Sequence, residues 1–404
     1  MRPLLVLLHR WLGLFMAVFL FISGLTGALI SWDHELDAWL NPALYEAEWQ
    51  SEAYDALESA RHFEAANPDL MVTWLPLSLE ENEALNLFVA ARSEEFDEKL
   101  DYNQLALHPQ THEVQAKRMW GEISLDRENL LPFLYKLHYS MHLPDIGGIE
   151  AGILFMGIVG IVWFLDCFIA LAISFPSKRN WRKSFRFRWS KGKHKLNFDL
   201  HRSGGVWLWL LLLVLAFTSI SMNLEHQVVR PLVNAVSPLS ADPFETNPFQ
   251  PYSKPDLVRA DILKLAEQEA LRQGIDQPPG GIFYARDFNL YGVGYFEPGN
   301  SHGDGGLGNP WLYFSGKTGE LAGKVIPGEG SFGDIFLQAQ FPLHSGRIIG
   351  VPGRILLSFL GLAVAALSVT GIVIWARKRR SVLLRKSSKS QVVLSETSAS
   401  DVLG

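Results

Sequence analysis

Four stretches of this chain stay apolar for about the length that crosses a bilayer. They cover residues 11–32, 149–175, 206–222 and 355–375, each near the ~20 residues that ~30 Å of hydrocarbon requires. Any one of them could be a buried helix of a soluble core, but four in one chain point to membrane helices. The first is longer than the ~7–15-residue apolar core of a secretory signal. It ends in Ser31-Trp32-Asp33 without a small-residue cleavage site, so it is expected to remain as an anchor. The polar segments between them follow other periods. Residues 52–66 have helical spacing, and 70–77, 84–91 and 103–107 read as strands before a turn at His108-Pro109-Gln110-Thr111. Residues 256–273 again read as a helix, followed by strands near 281–286, 290–296 and 311–314 and a turn at Ser315-Gly316-Lys317-Thr318-Gly319-Glu320.

The two halves correspond. His9-Arg10-Trp11-Leu12-Gly13 matches His201-Arg202-Ser203-Gly204-Gly205, and His34 matches His226, at one offset (201 − 9 = 226 − 34 = 192). The segment from His142 through Gly147-Gly148-Ile149 matches that from His344 through Ile349-Gly350-Val351 at a longer offset (344 − 142 = 202). The growth is read as an insertion. A period this long means two copies of a domain-sized unit rather than a solenoid. The expected fold is therefore an α-helical integral membrane protein with four transmembrane helices, a duplicated two-helix unit, carrying two periplasmic α+β domains.

Charge orients the chain. The loop after the second helix holds Lys178, Arg179, Arg182, Lys183, Arg186, Arg188, Lys191, Lys193 and Lys195 with no acid before Asp199, and the tail after the fourth opens Arg377-Lys378-Arg379-Arg380. Both belong on the cytoplasmic side together with the N-terminus. A basic run can bind nucleic acid, but beside a membrane helix it reads as topology, and no nucleic-acid partner is expected. The division is then an N-terminus and first helix over 1–32, a soluble domain over 33–148, a second helix over 149–175 and a cytoplasmic loop over 176–200. A third helix over 201–222, a second soluble domain over 223–350, a fourth helix over 351–376 and a cytoplasmic tail over 377–404 complete it. The first soluble segment is acidic, with Glu80-Glu81, Glu83 and Glu94-Glu95-Phe96-Asp97-Glu98. Such a surface favours cationic ligands or simply keeps the domain soluble. Cys167 is the only cysteine, which excludes disulfides within the chain, CxxC zinc sites and covalent CxxCH haem attachment.

Histidines carry the candidate chemistry. His9 and His201 each open a long apolar helix, and His142 and His344 each precede one. Imidazole binds haem iron axially in either oxidation state, and two such ligands leave no open position, which suits electron transfer. A single interfacial histidine is usually explained by its reach to water. Four in matching places point to haem iron held through His9, His201, His142 and His344. An axis along the membrane normal would pair His9 with His201 near the cytoplasmic face and His142 with His344 near the other. His138 lies on the same helical face as His142 and competes with it, as do His34 and His226 on that side. Arg10, Arg202, Arg347 and Arg354 stand beside these histidines and are candidate partners for haem propionates. Topology explains Arg10 and Arg202 equally. Asp166 is the one acid deep in an apolar run; it is either a structural acid or a group that moves protons or tunes a haem. Trp11, Trp163, Trp207 and Trp209 are either interfacial anchors or aromatics that shorten an electron path. Gly303-Asp304-Gly305-Gly306-Leu307-Gly308 satisfies GxGxxG but runs into Asn309-Pro310 instead of opening a helix, so it reads as a flexible loop.

Several segments together resemble a known family. The hairpin Lys317-Thr318-Gly319-Glu320-Leu321 after a helix and short meander is similar to a PepSY domain. The His-Arg-Trp-x-Gly opening, Leu137-His138-Tyr139-Ser140-Met141-His142-Leu143, the second His-Arg, and Pro342-Leu343-His344-Ser345-Gly346-Arg347 through Gly353-Arg354 resemble the PepSY-associated transmembrane family. Gln110-Thr111-His112-Glu113 departs from the turn pattern, and Ser203 replaces a tryptophan. Known members include di-haem inner-membrane siderophore reductases of the FoxB type. The resemblance implies a bacterial inner-membrane oxidoreductase with two haems b that reduces a ferric siderophore in the periplasm. No flavin or nicotinamide domain is visible, so its electrons are expected from a quinol or a cytoplasmic reductase. A haem reductase for another periplasmic acceptor, and a non-catalytic scaffold whose PepSY-like domains bind another protein, are the alternatives.

Overall fold

The structure, a computed structural model, describes residues 2–49, 54–97, 99–175 and 177–400. Glu52 and Glu98, and the end of the 377–404 tail, lie outside the described residues. Leaving aside short helical turns, the first half contains α1 (Arg2–Ile30), α2 (Asp33–Leu40), α3 (Ala56–Ala66), β1 (Leu70–Pro76), β2 (Leu85–Ala91), β3 (Gln104–Leu107), β4 (Val114–Arg118), α4 (Leu130–Ser140) and α5 (Ala151–Ser174). The second half contains α6 (Lys193–Asn223), α7 (Arg259–Gln273), β5 (Pro279–Ala285), β6 (Leu290–Tyr295), β7 (Trp311–Ser315), β8 (Leu321–Val325), α8 (Gln340–Ser345) and α9, whose span-length part is Val351–Arg385.

Helices α1, α5, α6 and α9 are long and apolar enough to cross a membrane, so the chain is a multi-pass membrane protein. Small residues bring their backbones together, as is usual where lipid supplies no hydrophobic drive. Gly24 of α1 faces Gly361 of α9 so closely that a Cβ built on Gly24 would stand 2.5 Å from the Gly361 carbonyl oxygen. Gly160 of α5 packs on Ile220 of α6, where a Cβ would come within 3.2 Å. Met16, Leu20, Met156, Val159, Leu212 and Val364 fill the bundle interior. Gly24→Leu is expected to push α1 from α9 at a cost of about 1–3 kcal/mol, read as a lowered melting temperature in detergent; an unchanged melting curve would show that this contact tolerates separation.

The two soluble segments do not form separate domains. Their strands make one eight-stranded antiparallel sheet in the order β4-β3-β2-β1-β5-β6-β7-β8, joined by Trp74↔Phe283, Leu75↔Ile282 and Pro76↔Gly281. An open strand edge is a template for another strand, and each half covers the other's. Side chains alternate as a half-buried sheet demands: Leu85, Leu87 and Val89 of β2 point into a core shared with Ala60 and Phe63 of α3 and Ile262 and Ala266 of α7. Arg259 of α7 ties the halves across this core, reaching Glu64 Oε1 of α3 at 2.8 Å. The outer strands β4 and β8 escape the sequence reading because they are short and polar, with Lys117 and Lys324 at the sheet edges.

A buried ion pair locks α2 onto the sheet. Arg118 and Asp37 side chains are 2% and 5% exposed, with Arg118 Nη2 2.6 Å from Asp37 Oδ2. Arg118 also donates to Gln104 Oε1 and the Glu128 carbonyl. Arg118→Met leaves Asp37 buried without its counter-charge, bonded only by the Asn41 amide and the Tyr45 hydroxyl, and a loss of about 3–5 kcal/mol is expected. Thermal unfolding of the purified variant checks it, and a loss under about 1 kcal/mol would mean that water reaches Asp37.

Candidate functional site

One histidine pair lies at the end of the bundle that carries the basic loop. His9 of α1 and His201 of α6 face each other with ring centres 6.1 Å apart. The two oxygens of Asp166, on α5, stand 3.0 and 2.9 Å from His9 Nδ1. His201 Nδ1 stands 3.0 Å from the Leu367 carbonyl and 3.2 Å from Thr370 Oγ1, both on α9. Asp166 is thus hydrogen-bonded, and its partner is a candidate ligand.

A second pair lies toward the sheet, and it is not the pair expected from the sequence. His138 of α4 faces His344 of α8 at the same 6.1 Å between ring centres. His138 Nδ1 is 3.0 Å from the Ser23 carbonyl and 3.1 Å from Thr26 Oγ1, and His344 Nδ1 is 2.9 Å from Thr218 Oγ1. His142 turns away. Met141 and His142 adopt left-handed conformations with φ of 53° and 52° at the end of α4, which folds His142 back to donate from Nε2 to the Phe133 carbonyl and to stack on its ring at 4.7 Å. Leu137-His138 therefore occupies the place matching Leu343-His344, each histidine in the last turn of its helix. Of the two histidines that compete for this place in the sequence, the structure sets His138, not His142, opposite His344.

Three threonines missed by the sequence reading orient these rings. The hydroxyl protons of Thr26, Thr218 and Thr370 are given to the carbonyls of Ile22, Val214 and Ala366 in their own helices. Each Oγ1 can then only accept, so the facing imidazole carries its proton on Nδ1. Glycines make room: a Cβ on Gly27 would stand 2.8 Å from His138 Cε1, and one on Gly371 3.0 Å from His201 Cε1. The sequence signal was a solitary threonine before glycine in an apolar helix, Thr26-Gly27 and Thr370-Gly371.

In all four histidines Nδ1 is engaged, and no hydrogen bond among the described residues takes Nε2. Each ring therefore presents an Nε2 lone pair, oriented by its Nδ1 partner as metal-binding imidazoles are. The two rings of each pair stand 6.1 Å apart between centres, and a metal held there would take one nitrogen from each. Burial pushes His138 down to about 4. Burial, and then the facing His138, push His344 to about 3. These two rings are therefore neutral near pH 7, the form that binds metal.

A cavity of about 300 Å³ opens around this second pair, lined by His138, His344, Gly27, Tyr135, Trp163, Arg347 and His302. The glycine-rich segment closes over it as an ordered turn: Arg347 Nη1 donates to Asp304 Oδ1 at 2.6 Å and Gly305 N to the Arg347 carbonyl at 2.8 Å. Of the arginines expected at propionates, Arg347 alone lines this cavity. Arg354 is held by Glu35 and the Ser31 carbonyl, and Arg202 by Asp199 and the Lys183 carbonyl. Arg10 makes no ion pair among the described residues and stands next to His9.

The other two candidates, His34 and His226, have partners of their own. His34 packs edge-on against Tyr45 at 5.1 Å. His226, over half exposed, pairs with Glu245 at 3.1 Å beside Asp242, but Arg230 already sits 3.5–3.6 Å from these acids as their counter-charge.

Compared with curated proteins, the chain finds no match. Compared with protein families, it matches the PepSY-associated TM region over residues 6–378, and since that match runs from before His9 to beyond Gly371, the chain belongs to the PepSY-associated TM family.

Proposed function

We propose that the protein is a two-haem reductase of the inner membrane that carries electrons outward and reduces a ferric siderophore in the periplasm. The observation that carries this reading is the pair of facing histidine pairs, each 6.1 Å apart with Nδ1 engaged. His9 and His201 would hold an inner haem b, and His138 and His344 an outer one. Haem iron held between two imidazoles exchanges single electrons and keeps no position open to oxygen. Arg347, which lines the outer cavity, would meet a propionate there, and Arg10, next to His9 in the chain, is the candidate at the inner end. The matching offsets of the two halves and the mirrored strand order support a duplicated unit. The basic loop at the inner end of the bundle supports cytoplasmic termini and a periplasmic sheet.

The protein's own part is to position and insulate. The inner His9 and the outer Thr26 lie about 25 Å apart along α1 at 1.5 Å per residue, and Met16, Leu20, Met156, Val159 and Leu212 keep water from the space between. Trp163 lines the outer cavity and packs against the same residues, placing an aromatic ring within that span. A quinol or cytoplasmic reductase would supply electrons at the inner pair. At the outer end the ferric chelate approaches past His302 and Arg347, takes one electron and loses affinity, because oxygen donors hold Fe(III) more tightly than Fe(II).

Rapid mixing of reduced protein with ferric siderophores tests the reading. Reoxidation is expected, with one Fe(II) trapped by a ferrous chelator for each electron lost. Stable reduced protein in the presence of every chelate, with rapid reoxidation by another acceptor, would reject the siderophore as substrate.

A further inference from the structure

The four candidate ligands share one arrangement with a single exception. His138, His344 and His201 each direct Nδ1 at a threonine hydroxyl, of Thr26, Thr218 and Thr370, aided in two cases by a backbone carbonyl. His9 instead faces both oxygens of Asp166. The places correspond. Thr26 and Thr218 stand at the offset that relates His9 to His201 (218 − 26 = 192), and Asp166 of α5 faces His9 of α1 as Thr370 of α9 faces His201 of α6, each partner on the second membrane helix of its half. A carboxylate has thus taken the position that a hydroxyl holds in the other half.

We propose that Asp166 is a positioning residue that sets the two histidine pairs at unequal affinity for an electron, holding the inner pair at the lower potential so that electrons run outward. The inference rests on the haem reading above. Asp166 is 3% exposed, and its only ion pair among the described residues is with His9. A buried carboxylate is costly unless it is compensated, and here the compensating group is the N–H of a ligand ring. A ligand imidazole that donates to a carboxylate becomes a stronger electron donor to its metal. The negative charge also favours the more positive, oxidised centre, with little water nearby to screen it. The outer pair meets only neutral acceptors, which leave the reduced state comparatively favoured. The step is a transfer of one electron: the inner centre is oxidised as the outer is reduced, no bond changes, and the reductant is the quinol or cytoplasmic donor.

Spectroelectrochemical titration of the purified full-length protein tests this. The wild type should show two one-electron steps. In Asp166→Asn the lower step should rise until the reduced-to-oxidised ratio at a fixed potential has grown at least tenfold, about 59 mV for one electron, while the upper step stays in place. Asp166→Glu, which restores a carboxylate, should return the lower step toward its wild-type position. An unmoved lower step in Asp166→Asn, or a shift of the upper step alone, overturns the inference. Should Asp166→Asn fail to retain the inner haem, Thr218→Val carries the test: the step it shifts must be the upper of the two, and a shift of the lower overturns the assignment. A wild type without any haem spectrum rejects the proposed function itself, an outcome distinct from haems of equal potential, which rejects only the inference.

Discussion

His138→Ala is expected to cut bound haem from about two per chain to about one and to remove the outer signal, whereas His142→Ala leaves both. The two residues are four apart and near the end of one helix, so sequence position does not separate them. Geometry does. His138 has its Nδ1 taken by the Ser23 carbonyl and Thr26 and its ring opposite His344, while His142 spends Nε2 on the Phe133 carbonyl. Alanine at 138 leaves His344 without a partner across the cavity, and a haem held from one side only should be lost. Pyridine haemochrome quantification with the reduced spectrum reads both variants. Loss of haem from His142→Ala with full retention in His138→Ala would reverse the assignment.

The second large effect is expected at the other end. His201→Ala should remove the inner haem and with it reduction of the outer haem by a quinol or a cytoplasmic donor. Dithionite, a small soluble reductant, should still reduce the outer haem. The separation follows from the length of the bundle: about 25 Å of helix divides the pairs, and Met16, Leu20 and Met156 pack between them. The readout is the rate of haem reduction in membrane vesicles, expected to fall at least a hundredfold with the natural donor. An unchanged rate would mean that electrons reach the outer pair without passing the inner one.

Much of this architecture is legible in the chain, for identifiable reasons. Four membrane helices announce themselves because apolar runs of that length have few other uses. His9 and His201 are found because one offset relates them and no other histidine on that side competes except His194, which the sequence assigns to the loop and the structure to the first turn of α6. The outer pair is harder. Aligning His142 with His344 follows the Gly and Ile residues after them, whereas the structurally matching signal is the shorter Leu-His dipeptide at 137–138 and 343–344. Only the left-handed turn at Met141 and His142 shows which histidine leaves the site. Joining of the two soluble segments into one sheet is invisible in either segment, since β1 and β5 each carry a pattern that suits an edge or a centre. Thr26, Thr218 and Thr370 pass unnoticed because a threonine that bonds back to its own helix reads as an ordinary membrane residue.

The central claim is that each histidine pair holds one six-coordinate haem. The most direct measurement is the absorption and low-temperature paramagnetic resonance spectrum of the purified wild-type protein with its haem content. Two low-spin haems per chain, each in the bis-imidazole form and reducible by dithionite, are predicted. Protein that folds and purifies without haem, or whose haem is high-spin and open on one side, would contradict it.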